Sequence, residues 1–125
     1  MEKKRKDHEP PLAIHEWGWR FHHLGIPTPD PIRDEEYLAK YNFFHGGFNT
    51  SPFGIEWMRF ETGSPVHELI QKFPHLAFEV DNLDYEIKTH NLHIITPPNS
   101  PSEGVRVAMI EHNGAPIELI EFVTS

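Results

Sequence analysis

The stretch that decides the fold is His75-Leu76-Ala77-Phe78-Glu79-Val80-Asp81-Asn82-Leu83. Its first six residues alternate in polarity, and successive side chains of a β-strand lie on opposite faces of the sheet. The apolar face consists of Leu76, Phe78 and Val80, and the opposite face of His75, Ala77 and Glu79. We therefore predict a strand whose apolar face packs on helices and whose histidine face lines a cavity.

The residues after this strand predict a helix and three more strands. Asp81 or Asn82 caps the helix, and strands follow at 93–96, 105–110 and 116–123, with a Pro/Ser loop after the first of them. Asn113-Gly114 joins the last two strands and is typical of a type I′ hairpin turn, because both residues tolerate positive φ. The order is therefore strand, helix, strand, strand, strand.

The segment 19–61 can be interpreted in the same order, which indicates an internal duplication. A strand at 19–26 precedes Asp30-Pro31, a typical helix start, and Tyr37, Leu38 and Tyr41 lie at helical spacing after it. His23-Leu24-Gly25-Ile26 matches His75-Leu76-Ala77-Phe78, and the strand 55–60 matches the strand 117–122. Each half thus opens with a histidine strand and closes with a glutamate strand.

These repeated histidines and glutamates form a candidate site for a divalent metal ion. Strand parity places Leu24 and Ile26 in the core and His23 on the cavity face, so His22 points away from the cavity. The candidate ligands are His23, Glu56, His75 and Glu118. Two imidazoles and two carboxylates supply four donors and neutralise the cation, whereas the alternative interpretation is unrelated polar residues on a sheet surface.

At these positions the chain resembles the vicinal oxygen chelate superfamily, which includes glyoxalase I, methylmalonyl-CoA epimerase, extradiol dioxygenases and the bleomycin resistance proteins. The segments 23–26 and 75–83 are similar to the opening strands of that superfamily's two modules, and 114–121 is similar to its closing strand. The resemblance covers about residues 19–123. It implies an α+β fold of two βαβββ modules, whose curled mixed sheets enclose a metal-binding cleft.

The resemblance also implies a function for the four candidate ligands. The glyoxalase and epimerase branch would use all four, to stabilise an enediolate of a small carbonyl substrate by chelating two adjacent oxygens. Glu118 or Glu56 would be the catalytic base, with Glu79 a further candidate. The chain is thus predicted to be a metal-dependent lyase or isomerase, with Zn, Ni, Co, Mn or Fe left open.

Two other functions remain open. The dioxygenase branch uses two histidines and one glutamate, which would be His23, His75 and Glu118. Glu56 would then not be a ligand. A non-catalytic, resistance-type binding protein is the other alternative, although such proteins have typically lost the ligands. Glutathione conjugates, acyl-CoA thioesters and small aromatic diols are all possible substrates.

Composition limits the partners. Lys3, Lys4, Arg5 and Lys6 lie in the first six residues with a single acidic residue, and the remaining seven basic and eighteen acidic residues give a formal charge of −11. Such a body repels phosphate backbones, so no nucleic-acid partner is expected, and no apolar run is long enough to predict a membrane partner. The chain has no cysteine, which favours the cytoplasm.

The domain organisation predicted is a disordered or extended tail at 1–16 and a single domain at 17–125. The domain contains modules at about 19–61 and 75–123, joined by a connector at 62–74, and an extended piece is expected near residues 12–14. We also expect a homodimer, because a half-cup leaves sheet edges and apolar surface exposed, with Trp17 and Trp19 at the interface.

Overall fold

A computed structural model of the chain describes residues 4–123. Residues 1–3 and 124–125 lie outside the described residues. They include Lys3 of the basic run and the outermost residues of the predicted tail and domain. The elements are α1 (Leu12–His15), β1 (Arg20–Pro27), β2 (Glu36–Leu38), β3 (Phe43–Gly46), a 3-10 turn (Phe48–Thr50), β4 (Ile55–Phe60), α2 (Glu68–Lys72), β5 (His75–Glu79), α3 (Leu83–Thr89), β6 (His93–Ser102), β7 (Val105–His112) and β8 (Ala115–Phe122).

The strands form one eight-stranded mixed sheet in the order β2-β3-β4-β1-β5-β8-β7-β6. The two opening strands, β1 and β5, pair antiparallel at its centre, and each lies parallel to the closing strand of its own half, β4 or β8. The two halves of the sheet therefore repeat the same pairing pattern on either side of the β1–β5 seam. The predicted α+β fold with an internal duplication is confirmed, and one chain supplies the complete sheet.

The second half agrees closely with the sequence prediction. Asn82 caps α3, its side chain accepting a hydrogen bond from the Tyr85 amide. Asn113 and Gly114 both have positive φ, of 50° and 87°, as the predicted hairpin turn requires. The Pro/Ser segment 97–102 is the exception, because it belongs to β6, where three register shifts accommodate it.

The first half differs because it lacks the predicted helix. Tyr37 and Leu38 pair with Phe44 and Phe43 as strands β2 and β3, so their helical spacing was misleading. The preceding segment contains three prolines, and its backbone turns where the Ile32 amide donates to the Glu35 carboxylate and Asp34 takes a φ of 57°. An irregular loop therefore stands where the second half has α3.

The predicted extended piece near the N-terminus is also wrong. Residues Leu12–His15 form the short helix α1, whose Ala13 packs on the core together with Trp17. Trp19 is only 4% exposed inside the same cluster, so it is a core residue and not the interface residue expected from the sequence. The boundary predicted between tail and domain at residue 17 remains a prediction.

The core has one cluster on each face of the sheet. The first cluster lies under α3 and consists of Trp19, Phe78, Val80, Leu83, Ala108, Ile110 and Leu119. The second lies on the concave face, where Phe43 and Met58 pack against Ile70 of α2. Within residues 4–123 no helix is long and apolar enough to cross a membrane.

The missing helix changes the burial predicted for β1. Leu24 and Ile26 are only half-buried, and Leu76, their neighbour on β5, is 42% exposed. These side chains share the face that α3 covers in the second half, but in the first half no helix of the described residues covers them. The prediction of which side chains share a face of β1 was correct, but the helix expected to cover them was not.

Candidate metal centre

Three of the four predicted ligands come together at the centre of the sheet. His23 of β1, His75 of β5 and Glu118 of β8 each offer a ligand atom, and these atoms all lie within 4.8 Å of one another. Glu118 Oε1 is 3.3 Å from His23 Nε2 and 3.3 Å from His75 Nε2. We call these residues the central trio.

The pairing of the strands explains how residues distant in sequence meet. His75 lies opposite Gly25 of β1, and His23 lies opposite Ala77 of β5. Ala77 also pairs with Glu118, whereas Gly25 pairs with Glu56. Each histidine therefore lies over the small residue of the other half, so the site exists only when the two halves are paired.

Gly25 is required by close packing. A Cβ atom built on Gly25 would lie 2.1 Å from His75 Cε1 and 2.7 Å from both ring nitrogens. The His75 ring is 1% exposed and has little space into which it could move. Glycine at position 25 therefore leaves the space that the His75 imidazole occupies.

The chemistry of the central trio fits a divalent metal ion. His23 and His75 are buried, and His23 Nε2 together with both ring nitrogens of His75 has no hydrogen-bond partner of good geometry among the described residues. Buried polar atoms without partners cost free energy, and coordination of a cation through these nitrogens removes that cost. A carboxylate 3.3 Å from both rings completes a donor set typical of zinc and first-row transition metals.

The electrostatics of Glu118 match this interpretation. Burial acts to raise the pKa of the Glu118 carboxyl, but the contacts with His23 and His75 outweigh it and lower that pKa to about 2. Burial acts to lower the pKa of His23, yet Glu118 and Glu56 raise it above its ordinary value. Positive charge is thus favoured where the two imidazoles meet the carboxylate.

Glu56 lies at the edge of the central trio. Its Oε1 is 3.7 Å from His23 Nε2, and its Oε2 is 3.3 Å from His45 Nδ1. Glu56 and Glu118 thus differ, because Glu118 contacts both imidazoles of the trio and Glu56 contacts one. The four predicted ligands are neighbours, and only three of them converge on a common point.

His45 also belongs to the surroundings of the site, although it was not identified from the sequence. It contacts Glu56 and, at 3.8 Å, the exposed carboxylate of Glu36. Phe43 and His45 alternate with Phe44 along β3, so a strand assigned at 43–46 would have placed His45 on the same face as Glu56. No strand was predicted from the sequence at 43–46, and this signal was therefore missed.

His22 also differs from the prediction. The pairing of β1 with β5 shifts between Phe21 and His23, and this β-bulge changes the direction of the side chain between them. His22 Nδ1 lies 2.8 Å from His23 Nδ1, so His22 does not point away from the site as strict alternation requires.

A cavity of about 630 Å³ opens over the site. His23, Glu56 and Glu118 line its base, and its walls include Phe43, Met58, Val66, Ile70, Val107 and Met109. Glu79 does not line this cavity; its carboxylate contacts Arg20 at 3.2 Å. Of the candidate bases, only Glu56 and Glu118 therefore face the cavity.

No protein-family model and no curated protein sequence matches the chain. Among solved structures, a hypothetical protein from Bacillus halodurans C-125 is similar over 86% of this chain and 96% of its own, with a TM-score of 0.65 and 19% identity. Methylmalonyl-CoA epimerase from Mycobacterium tuberculosis is similar over 84% of this chain and 89% of its own, with a TM-score of 0.60 and 18% identity. These similarities establish a common fold, and identities this low leave the reaction to be argued from the site.

Proposed function

We propose that this chain, with the fold of the vicinal oxygen chelate proteins, is a metal-dependent lyase or isomerase of a small carbonyl compound. One observation carries the proposal. A second carboxylate, Glu56, faces the same cavity as the central trio but contacts only one of its imidazoles, at 3.7 Å. The site therefore offers a metal-binding trio and, beside it, a separate base.

A divalent ion held by His23, His75 and Glu118 would stabilise the negative charge that develops on two adjacent substrate oxygens when a neighbouring C–H bond is broken. Glu56 then takes the proton. His45 contacts Glu56 Oε2 and leaves Oε1 on the side of His23, so the carboxylate has a defined orientation. Return of the proton by Glu56 to the neighbouring carbon would give an isomerase. An epimerase would need a second group to deliver a proton to the opposite face of the same carbon, and a lyase would need the enediolate to expel a leaving group.

Glu56 is a better candidate for the base than Glu118. Glu118 touches two imidazoles at 3.3 Å and is held in a pair of contacts that a moving base would have to break. A carboxylate coordinated to a cation is also a weaker proton acceptor than one that is not. We therefore assign Glu118 as a ligand and Glu56 as the base.

The cavity supports a small substrate with an apolar body. Its walls are mainly apolar, and among residues 4–123 Lys40 is the only lysine or arginine that lines it. Arg20, Arg59 and Arg106 contact carboxylates elsewhere, which leaves little positive charge to bind the phosphates of a coenzyme A group.

A cytoplasmic location accords with a chain that contains no cysteine.

The test of this function is hydrogen exchange at the substrate carbon. A panel of apolar 2-hydroxy- and 2-oxo-carbonyl compounds is incubated with the metal-loaded protein in D₂O, and deuterium uptake is followed by NMR. Loss of the base removes a contribution of about 10²- to 10⁴-fold, so Glu56→Gln is expected to reduce exchange by at least a hundredfold while metal content is retained. Glu36→Gln, which alters the exposed carboxylate beyond His45, is the matched control and is expected to exchange normally.

A specific observation also favours an extradiol-type dioxygenase as the second candidate. The residues that converge are two histidines and one glutamate, the set that this branch uses. Such an enzyme would consume oxygen with ferrous iron and a catechol, and would exchange no substrate hydrogen with solvent. Oxygen uptake on a catechol panel would replace the first proposal with this one. A protein that binds these compounds but catalyses neither hydrogen exchange nor oxygen uptake would be a non-catalytic binding protein.

We further propose that the protein is a homodimer. No helix within residues 4–123 covers the outer face of the sheet around β1. This face carries five apolar side chains on the adjacent strands β4, β1 and β5: Leu24, Ile26, Ile55, Trp57 and Leu76. Trp57 is 39% exposed and Leu76 is 42% exposed on this face. A second copy of the same chain would cover the apolar surface that α3 covers in the second half.

The dimer is tested by light scattering at micromolar concentration. The wild-type mass is expected to be twice 14.6 kDa, and the double variant Trp57→Glu/Leu76→Glu is expected to have the mass of a single chain, because charges are costly to bury in an apolar contact. Tyr85→Glu, an exposed aromatic residue on α3, is the control and should leave the mass unchanged. A wild-type mass near 14.6 kDa would contradict the proposal.

A further inference from the structure

Two consecutive residues of β1 present their rings to each other because the strand is bulged. The shift of register between Phe21 and His23 lets His22 approach the ring of the next residue, which a regular strand would not allow. The two Nδ1 atoms are 2.8 Å apart, and the ring planes lie at 75°. The His22 ring is stacked on Phe48, with ring centroids 5.0 Å apart and planes 14° apart, so its position is fixed by packing.

A contact of 2.8 Å between two imidazole nitrogens requires one of them to donate a hydrogen and the other to accept it. The choice is set by the other nitrogen of His23. Its Nε2 is the atom that faces Glu118 and Glu56, at 3.3 and 3.7 Å. A metal ion bound at Nε2 needs that nitrogen without hydrogen, so the hydrogen of His23 lies on Nδ1 and is donated to His22.

The second half of the chain has no equivalent contact. Pro74 precedes His75 and occupies the position that corresponds to His22, and a proline has no side-chain acceptor. His75 Nδ1 has no hydrogen-bond partner among residues 4–123, and the ring is held by packing over Gly25. The two imidazoles of the central trio are therefore fixed in different ways, one by a hydrogen bond and one by shape.

We propose that His22 is a positioning residue of the metal centre, which fixes the tautomer and ring orientation of His23 by accepting a hydrogen bond from its Nδ1. This inference rests on the proposed metal-dependent function and adds a residue that the internal repeat does not identify. Hydrogen-bond partners of metal-ligating histidines typically change metal affinity by about 10- to 100-fold when they are removed. His22 is not one of the residues whose ligand atoms converge at the central trio.

The experiment compares zinc affinity in two substitutions at position 22. His22→Phe keeps an aromatic ring against Phe48 but accepts no hydrogen bond, and we expect it to weaken zinc binding by about 10- to 100-fold. His22→Asn places an amide oxygen near the position of Nδ1, and we expect it to restore affinity to within a few-fold of wild type. His112→Phe, at an exposed histidine, is the control for general effects of the substitution.

A second measurement separates positioning from loss of packing. In zinc-loaded protein labelled with ¹⁵N-histidine, His23 is expected to show a protonated Nδ1 that is coupled through the hydrogen bond to His22. This signal should exchange with solvent much faster in His22→Phe and remain protected in His22→Asn.

Wild-type affinity in His22→Phe, or loss of affinity in both variants alike, would overturn the positioning role and leave the proposed function standing. Failure of the wild-type protein to bind zinc or any other divalent ion would overturn both proposals.

Discussion

Replacement of His75 by alanine is expected to abolish stoichiometric binding of a divalent metal ion. His75 is 1% exposed, and neither of its ring nitrogens has a hydrogen-bond partner in the described part of the chain, so coordination is the role left for its polar atoms. Zinc sites of three or four ligands contribute about 3 kcal/mol per ligand, which corresponds to a loss of roughly a hundredfold or more in affinity. Elemental analysis of protein purified without a metal-binding tag measures the outcome.

Thermal unfolding gives a second measure of the same variant. Zinc at about a thousand times its dissociation constant adds about 4 kcal/mol to the free energy of unfolding of the wild-type protein, or roughly 15 °C in Tm. At the same zinc concentration the Tm of His75→Ala should rise by about a third of the wild-type shift or less, because a hundredfold loss of affinity leaves zinc at about ten times the variant's dissociation constant. Its far-UV circular dichroism should match that of the metal-free wild type. The control is His112→Ala, and full metal occupancy in His75→Ala would show that the central trio is not the site.

A single methyl group at position 25 is expected to disturb the metal site nearly as much as removal of a ligand. The Cβ of Gly25→Ala would lie 2.1 Å from His75 Cε1, so the buried ring must leave its position. Overpacking of this kind costs about 1–3 kcal/mol of unfolding free energy. Because the displaced ring no longer faces Glu118, we also expect zinc affinity to fall by roughly a hundredfold, as for loss of one ligand.

A matched glycine in the same sheet serves as the control for this substitution. Gly46 of β3 has an ordinary strand conformation, and a Cβ there would meet the Cγ2 methyl of Ile32 at 3.0 Å and Glu35 Cα at 3.4 Å, so a shift of a few tenths of an ångström in Ile32 relieves the contact. Gly46→Ala should therefore keep wild-type zinc affinity and lose little stability. Equal affinities in Gly25→Ala and wild type would show that His75 has another position from which it binds metal.

The sequence was informative wherever one periodicity decided the structure. The strand from His75 to Glu79, the helix capped by Asn82 and the Asn113-Gly114 turn were predicted because local chemistry and burial agreed. The convergence of His23, His75 and Glu118 followed from strand parity and the internal repeat. Their ligand role, together with that of Glu56, is still a prediction.

The remaining features depend on contacts between distant residues, which no local pattern records. Tyr37 and Leu38 have helical spacing, yet they are strand residues because β3 offers them hydrogen bonds. The bulge before His23 is visible only once β1 is paired with β5. Burial of Leu24 and Ile26 was overestimated because a helix was expected over them. Each error concerns tertiary structure that overrides a local preference.

The crosswise pairing of His23 with Ala77 and His75 with Gly25 has a consequence for cooperativity. Because the donors come from both halves, an ion bound between them stabilises the pairing of the halves, and neither half alone can bind it with full affinity. Partial opening that separates β1 from β5 then takes His23 away from His75 and Glu118 and forfeits that residue's share of the binding free energy. Metal loading should therefore slow amide hydrogen exchange equally in β4 and β8, on opposite sides of the seam, and turn two separable folding units into one.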